Sequence, residues 1–329
     1  MEPALQALDH PSWSGHLPRQ VETDRMKSVE APIIIADSVS AEGIRLITWQ
    51  LRYWRPIHSE LMTHRVFSRN AGSSRARPSS AIIQQVINDP WGPLHWGKNE
   101  PGMQANAELE GENLFNARTA WNSAALMAAT EATALVGAGA HKQIVNRLLE
   151  PFTYIDVVLS GTDFANWYTL RDHKDAQPEI RELASLMKEV QSHSVPTTLR
   201  PGQWHLPYVS EEDRQNAKAF GDGQFMINGH TMDQQELLRR ISAARCARVS
   251  YKLHDGSKTD FGKDLELFER LLISQPLHAS PAEHQATPDG FCTNEAVVAG
   301  RQWENPHEHG NFRGWRQFRK MLPNEFVPG

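Results

Sequence analysis

Cysteine is nearly absent from this 329-residue chain: only Cys246 and Cys292 occur. Two thiols exclude a disulfide framework and a cysteine-ligated metal site, and point to a reducing, cytoplasmic setting. No run approaches the eighteen or so apolar residues that a membrane span requires. Residues Met1 to Ser28 mix Asp, Glu, Pro and Trp and lack the apolar core of a signal peptide, so residues 1–30 read as a polar arm. Neither GxxxxGK[ST] nor GxGxxG is present, which removes the two commonest phosphate-cradling glycine loops. No solenoid-like repeat is found. The net charge of −5 gives no general grip on nucleic acid. With 40% hydrophobic and 22% charged residues, the chain has the composition of an ordinary globular protein.

Lysine is missing from one place where cations are dense. Between Ile44 and Arg77 stand seven arginines (45, 52, 55, 65, 69, 75 and 77), no lysine, and one acid, Glu60. A guanidinium fork binds phosphate with fixed geometry, so arginine without lysine suggests recognition of an anion. Surface arginines paired with acids elsewhere are the plain alternative.

The periodicities predict an α/β chain. Pro32 to Ala36 reads as a short buried strand and Ile44 to Tyr53, with its alternation and β-formers, as a long one. Ser59 to Val66 reads as a turn or helix, Ser80 to Ile87 as a helix, and Asp89 to Met103 as loop. Asn116 to Leu149 carries apolar residues at helical spacing, divided near Val136–Gly139. Asp163 to Val190 is helical with an interruption near Pro178. A Pro/Gly/Trp-rich stretch, Pro196 to Asp222, is the best boundary; helices are expected again over Met232 to Ala247 and Phe261 to Ile273. The expected organisation is a core over 31–195, a loop-rich connection over 196–230, and 231–329 completing the same fold with a Trp-rich extension.

The informative loop runs from Thr63 to Arg75. It offers hydroxyls, a glycine, backbone N–H groups and a guanidinium to an anion. Its pattern, His64-Arg-x-x-Ser-x-Asn-x-x-Ser-x-Arg75, resembles the signature of the flavin-dependent thymidylate synthases. Asn166, Leu170-Arg171 and Ala176-Gln177-Pro-Glu179-Ile-Arg are similar to that family's Asn/Leu-Arg…Ala-Gln-x-Glu-Ile helix, and Asn146-Arg147-Leu-Leu-Glu-Pro151 to its Ala-Arg-x-Val-Leu-Pro turn. Ala247-Arg-Val-Ser-Tyr251 and His278-Ala-Ser280-Pro-Ala-Glu283-His284 look like two further family segments. Those two precede the signature in the family and follow it here, as in a permuted or rearranged chain. The resemblance spans roughly Ile33 to Lys188 and Arg239 to His284.

The resemblance implies a family-like α/β (α+β) fold with a central sheet and flanking helices, and an active site formed between subunits of a tetramer. It implies transfer of a one-carbon unit from methylenetetrahydrofolate to C5 of a deoxypyrimidine monophosphate, dUMP first, with FAD reduced by NADPH. Carried over by position, Ser73, Ser74, Arg75 and Arg147 hold the nucleotide phosphate, and Arg171 faces and polarises the pyrimidine. His64, Arg65, Asn166, Ser280 and Glu283 contact FAD, and His278 acts at the nicotinamide or folate side of the flavin. Thr63, Ala71 and Ser160 occupy cofactor-contact positions where the family usually has Arg, Glu and Asn. Glu60 stands for a Gln near the nucleotide. An ionised carboxylate only accepts hydrogen bonds, so at the base Glu60 favours cytosine over uracil; pairing with a neighbouring arginine is the plainer reading. The altered flavin contacts keep a dUMP or dCMP hydroxymethylase open as an alternative. The arginines and the aromatic, basic tail (Phe312 to Lys320) keep a non-catalytic nucleotide- or nucleic-acid-binding protein open. No metal is expected: His307-Glu308-His309 reads as surface, and Cys246 as packing.

Overall fold

The computed structural model describes residues 26–227, 229–249, 260–274, 277–292, 302–323 and 325. The polar arm, apart from its last residues, and Ser250-Tyr251 of the family-like segment lie outside the described residues. The protein is mixed α/β, with helices flanking a central mixed sheet.

That sheet is built from β1 (Ile33–Ser40), β2 (Arg45–Trp54), β3 (Ser68–Ala71), β4 (Tyr154–Gly161) and β5 (Thr197–Leu199), in the order β3-β4-β2-β1-β5. β1, β2, β4 and β3 are antiparallel neighbours, while β5 joins β1 in parallel. The alternation along β2 sorts its side chains onto two faces. Ile47, Trp49, Leu51 and Tyr53 enter one core with Ile155, Val157 and Leu159 of β4. Leu46, on the other face, packs with Ala286, Phe312 and Trp315. Because both faces are covered, β4 is buried along nearly its whole length. Its apolar residues, Ile155 and Val157 to Leu159, fall on both faces without strict alternation, which is why periodicity does not single it out.

The first core is closed by α5 (Ala165–Arg171) and α6 (Pro178–His193), through Trp167, Ile180, Leu183 and Met187. Pro178 is the first residue of α6, where its missing N–H costs nothing, and the predicted interruption falls there. Earlier in the chain stand α1 (His58–Leu61), α2 (Ser79–Asn88), α3 (Gly111–Gly137) and α4 (Lys142–Leu149). The break between α3 and α4 contains Gly139 at φ +81°, a left-handed turn suited to glycine.

The C-terminal half contributes α7 (Glu211–Lys218), the hairpin β6 (Phe225–Ile227) and β7 (His230–Met232), α8 (Gln234–Ala247), α9 (Phe261–Leu272), and the pair β8 (Ala286–Pro288) and β9 (Trp315–Gln317). The expected helices near 232–247 and 261–273 are thus present. Pro196 to Asp222 contains β5 and α7 besides loop.

The seam between the sheet and this half is polar at its centre. Ser38 Oγ lies 2.9 Å from His205 Nδ1, and His205 Nε2 lies 2.8 Å from Thr48 Oγ1. Thr48 Oγ1 lies 2.6 Å from Ser160 Oγ, which lies 2.8 Å from His284 Nδ1. All five residues are buried. Burial pushes both imidazoles down to about 3, so they are neutral at pH 7. Among the described residues no helix is long and apolar enough to cross a membrane.

Candidate nucleotide and cofactor site

Arg171 ends α5 beside the loop that follows α1. Its Nε donates to His64 Nε2 at 2.9 Å, its Nη1 to Glu60 Oε2 at 2.9 Å, and its Nη2 to Thr63 Oγ1 at 3.2 Å. The sequence-predicted residues Glu60, Thr63, His64 and Arg171 therefore form one cluster, and the arginine partner anticipated for Glu60 is Arg171. Thr63 is itself oriented, since its hydroxyl donates to the Glu60 carbonyl at 2.7 Å. His64 is buried between Phe67, stacked at 6.2 Å, and the edge-on ring of Trp167 at 4.9 Å. Its desolvation, then the adjacent Arg171 cation, push its pKa below the ordinary histidine range. The imidazole is neutral, and because Nε2 accepts, the proton resides on Nδ1.

Arg69 braces this loop from inside, its Nη1 donating to the carbonyls of His64 (3.0 Å) and Phe67 (3.1 Å). Neighbouring His58 accepts or donates through Nδ1 at 2.7 Å from Tyr53 Oη; burial pushes it down to about 4.

The serine loop lies at the other end of β3. Arg55 Nη2 donates to the Gly72 carbonyl at 3.0 Å, and Asn146 Nδ2 donates to the carbonyls of Ser74 (2.8 Å) and Arg77 (3.1 Å). Three carbonyls are thereby tied from two sides, which fixes the loop. Ser74 is buried, and Arg75 is exposed with no protein partner among the described residues. Arg147, one residue from the Asn146 brace, is exposed and donates to Glu150 at 3.0 Å. Immediately after the loop, α2 begins behind Pro78 without a side-chain cap, leaving first-turn N–H groups for an anion. Ala71 closes β3.

Segments that follow the signature in sequence touch it in space. A Cβ at Gly72 would stand 3.2 Å from the Val249 carbonyl, a tight contact, so glycine eases the close approach of Val249 to this loop. Gln317 Nε2 donates to Ser68 Oγ at 3.1 Å and to the Glu283 carbonyl at 2.9 Å, joining β3 to the Ser280–Glu283 turn. Between them opens a cleft of about 500 Å³ lined by Arg65, Arg69, Ser280, Glu283, Arg319 and Lys320. Arg319 is paired with Glu283 and Glu325, and Lys320 with Glu325, whereas Arg65 has no protein partner among the described residues. Arg65, Ser280 and Glu283 are thus brought together. Arg319 and Lys320 join them from the basic tail, whose charge pattern was the only advance sign.

Other predicted positions stand apart. Ser160 is fully buried with its hydroxyl committed to Thr48 and His284. Asn166 is exposed on α5. His278 is exposed, its backbone N–H donating to the Leu271 carbonyl at 2.8 Å, and among the described residues no hydrogen bond or ion pair joins it to Arg171. His309 Nε2 meets Asp289 at 2.8 Å while its Nδ1 accepts from the Gly314 N–H, so both ring nitrogens are occupied. Among the described residues no group of three His, Cys, Asp or Glu side chains could hold a metal ion. Cys246 is buried, and burial pushes its thiol up, so it is no ready nucleophile.

A roomier cavity of about 990 Å³ was not anticipated; Gln50, Tyr208, Asp213, Arg245, Arg248 and Val249 line part of it. Tyr208 adopts φ +60°, a strained backbone for a non-glycine residue, and its hydroxyl donates to Gln50 Oε1 at 2.9 Å. Arg245 there is divided between Asp213 (2.6 Å) and Asp264 (2.8 Å).

No family model matches the sequence, and no curated protein matches it. Among solved structures, the chain is similar to a UMP/dUMP methylase, PolB from Streptomyces cacaoi, bound with 5-Br UMP: 16% identity, TM-score 0.41, covering 51% of this chain and 92% of that one. A second structure of the same methylase, bound with 5-Br dUMP, gives 21% identity and a TM-score of 0.38, covering 45% of this chain and 67% of that one.

Proposed function

We propose that this protein is an enzyme of the flavin-dependent thymidylate synthase type, with its segments in permuted order, transferring a one-carbon unit to C5 of a pyrimidine nucleoside monophosphate. The observation that carries the reading is the meeting of the family-like segments: Arg171 enters the loop of Glu60, Thr63 and His64, and Glu283 and Arg65 line one cleft. Residues 231–329 would on this reading complete the core begun by residues 31–195.

In the proposed mechanism, Ser73, Ser74 and Arg75 take the phosphate against the uncapped start of α2, with Arg147 as a further cation. Arg171 faces the edge of the base, where its guanidinium stabilises negative charge developing on the ring. Neutral His64 holds the guanidinium by accepting from Nε, so the cation arrives already aimed. The Arg65, Ser280 and Arg319 donor set fits a diphosphate-bearing cofactor, and the cleft volume is in the range of small-molecule sites. Arg65, Ser280 and Arg319 would there hold FAD, which in its reduced form would supply hydride, with NADPH as reductant and methylenetetrahydrofolate as one-carbon donor.

Assembly of several copies belongs to the proposal. Ile144 and Leu148 sit one turn apart on α4, 57% and 40% exposed, on either side of Arg147. An apolar pair flanking a phosphate-binding arginine suits a face covered by another copy.

The test is to titrate the purified protein with FAD, then with nucleotide, and to analyse product mass with every cofactor present. A perturbed flavin spectrum and a methylated nucleotide are expected. A product heavier by one oxygen would replace methylation by hydroxymethylation, and unmodified dUMP and dCMP would end the enzymatic reading.

A further inference from the structure

We infer that the Glu60–Arg171 pair selects a pyrimidine bearing an exocyclic amino group, cytosine rather than uracil; the inference rests on the nucleotide reading above. A guanidinium has five N–H donors. Arg171 spends three of them on His64, Glu60 and Thr63, which leaves one N–H on Nη1 and one on Nη2. Glu60 uses Oε2 on Arg171, and its Oε1 has no protein partner among the described residues. Both side chains remain reachable, with 31% of Glu60 and 20% of Arg171 exposed.

In the inferred arrangement these free groups form one edge that runs acceptor, donor, donor: a carboxylate oxygen beside two guanidinium hydrogens. The pairing edge of cytosine runs donor, acceptor, acceptor, from its N4 amino group through N3 to O2. The two edges match at every position. Uracil presents an O4 acceptor to the carboxylate and an N3–H donor to the guanidinium, which opposes like to like at two positions of three. An ionised carboxylate cannot escape this by donating, and an arginine cannot escape by accepting. A glutamine here could turn its amide and serve either base; a glutamate cannot. Thr63 strengthens the selection, because its hydroxyl accepts from Nη2 while donating to the Glu60 carbonyl and so holds the guanidinium plane against rotation.

The experiment is calorimetric titration of the full-length protein with dCMP and with dUMP, for the wild type, Glu60→Gln and Arg75→Ala. The wild type is expected to bind dCMP at least about tenfold tighter, the scale on which a hydrogen-bonding edge rejects its mismatch. E60Q is expected to bring the two affinities within about threefold, a loss of most of that discrimination. R75A is expected to weaken both nucleotides by the same factor and preserve the ratio, since the phosphate is common to them. Equal or tighter dUMP binding by the wild type, or an unchanged ratio in a folded E60Q, overturns the base assignment and leaves the nucleotide reading standing. The wild-type ratio decides alone should E60Q not fold. Failure of either nucleotide to bind the wild type overturns the nucleotide reading itself, and the selection with it.

Discussion

Arg171 Nε donates to His64 Nε2 at 2.9 Å, a bond that only a neutral imidazole can accept. It links a helix terminus to a loop 107 residues earlier in the chain. Burial and then the cation itself hold the His64 pKa below the ordinary value, so the accepting form persists below pH 6.5. Acidification past that lowered pKa protonates Nε2 and sets two cations against each other. Arg171→Ala removes the second cause and leaves the first. The His64 titration, followed by imidazole NMR, is expected to move up toward 6.5 without reaching it; an unmoved titration would mean that Arg171 does not act on His64.

Arg75 is exposed and engages no protein partner among the described residues, so its loss costs the fold little. Arg75→Ala is expected to keep the thermal midpoint within about 2 °C while weakening nucleoside monophosphate binding about ten- to a hundredfold, the worth of a charge-assisted bond. Thermal melts beside the binding titration check both halves. A large fall in midpoint would reassign Arg75 to structure.

His205 and His284 give the stability of the protein a pH signature. Both have folded pKa values near 3 against about 6.5 in an unfolded chain. Their contribution is complete above pH 6.5 and is lost as pH falls toward 3, because the unfolded state binds two protons that the folded state refuses. Between these limits the loss approaches about 2.7 kcal/mol per pH unit for the pair. Denaturant unfolding at pH 7, 6 and 5 measures it. His284→Asn is expected to halve the slope; a stability flat over this range would be incompatible with two neutral buried histidines.

Ser160→Ala removes the hydroxyl between Thr48 and His284 and leaves both short of a partner in a buried seam. The expected loss is about 1–3 kcal/mol, read as a lower denaturant midpoint with an unchanged m-value. A neutral result would mean that the seam admits water.

Thiol reactivity separates the two cysteines. Cys292 is exposed and Cys246 buried with a raised pKa. A disulfide reagent is expected to modify one thiol in the native protein and two after unfolding, Cys292→Ser abolishing the fast one. Rapid native reaction at Cys246 would contradict its packing.

Much of this architecture was legible from residue order. β1, β2, α2 and the two helices on either side of Gly139 follow from alternation, 3.6-residue spacing and punctuation by proline and glycine. β4 escaped because a strand covered on both faces has no period to read, although it lies at the middle of the sheet. The site divides similarly. The spacing from His64 to Arg75 marked a loop, yet nothing in it said that Glu60 and Thr63 would spend their oxygens on Arg171. The polar seam was invisible for a related reason. Thr48 reads locally as an ordinary strand residue and Ser160 falls in no predicted element, and only pairing β2 with β4 puts them opposite each other. Long-range partners of short polar side chains leave no local signature.

The hydroxyl–imidazole chain from Ser38 to His284 also settles how the two halves of the molecule can fit. A shift by one strand residue already turns the apolar set to the wrong face. Five polar groups threaded in order add to that cost, since a shift strands several buried donors and acceptors at once. The sheet and the C-terminal half therefore have one docking position, and the Glu283 turn reaches β3 at a single height. The cleft beside β3, lined from both halves, inherits its width from that single fit.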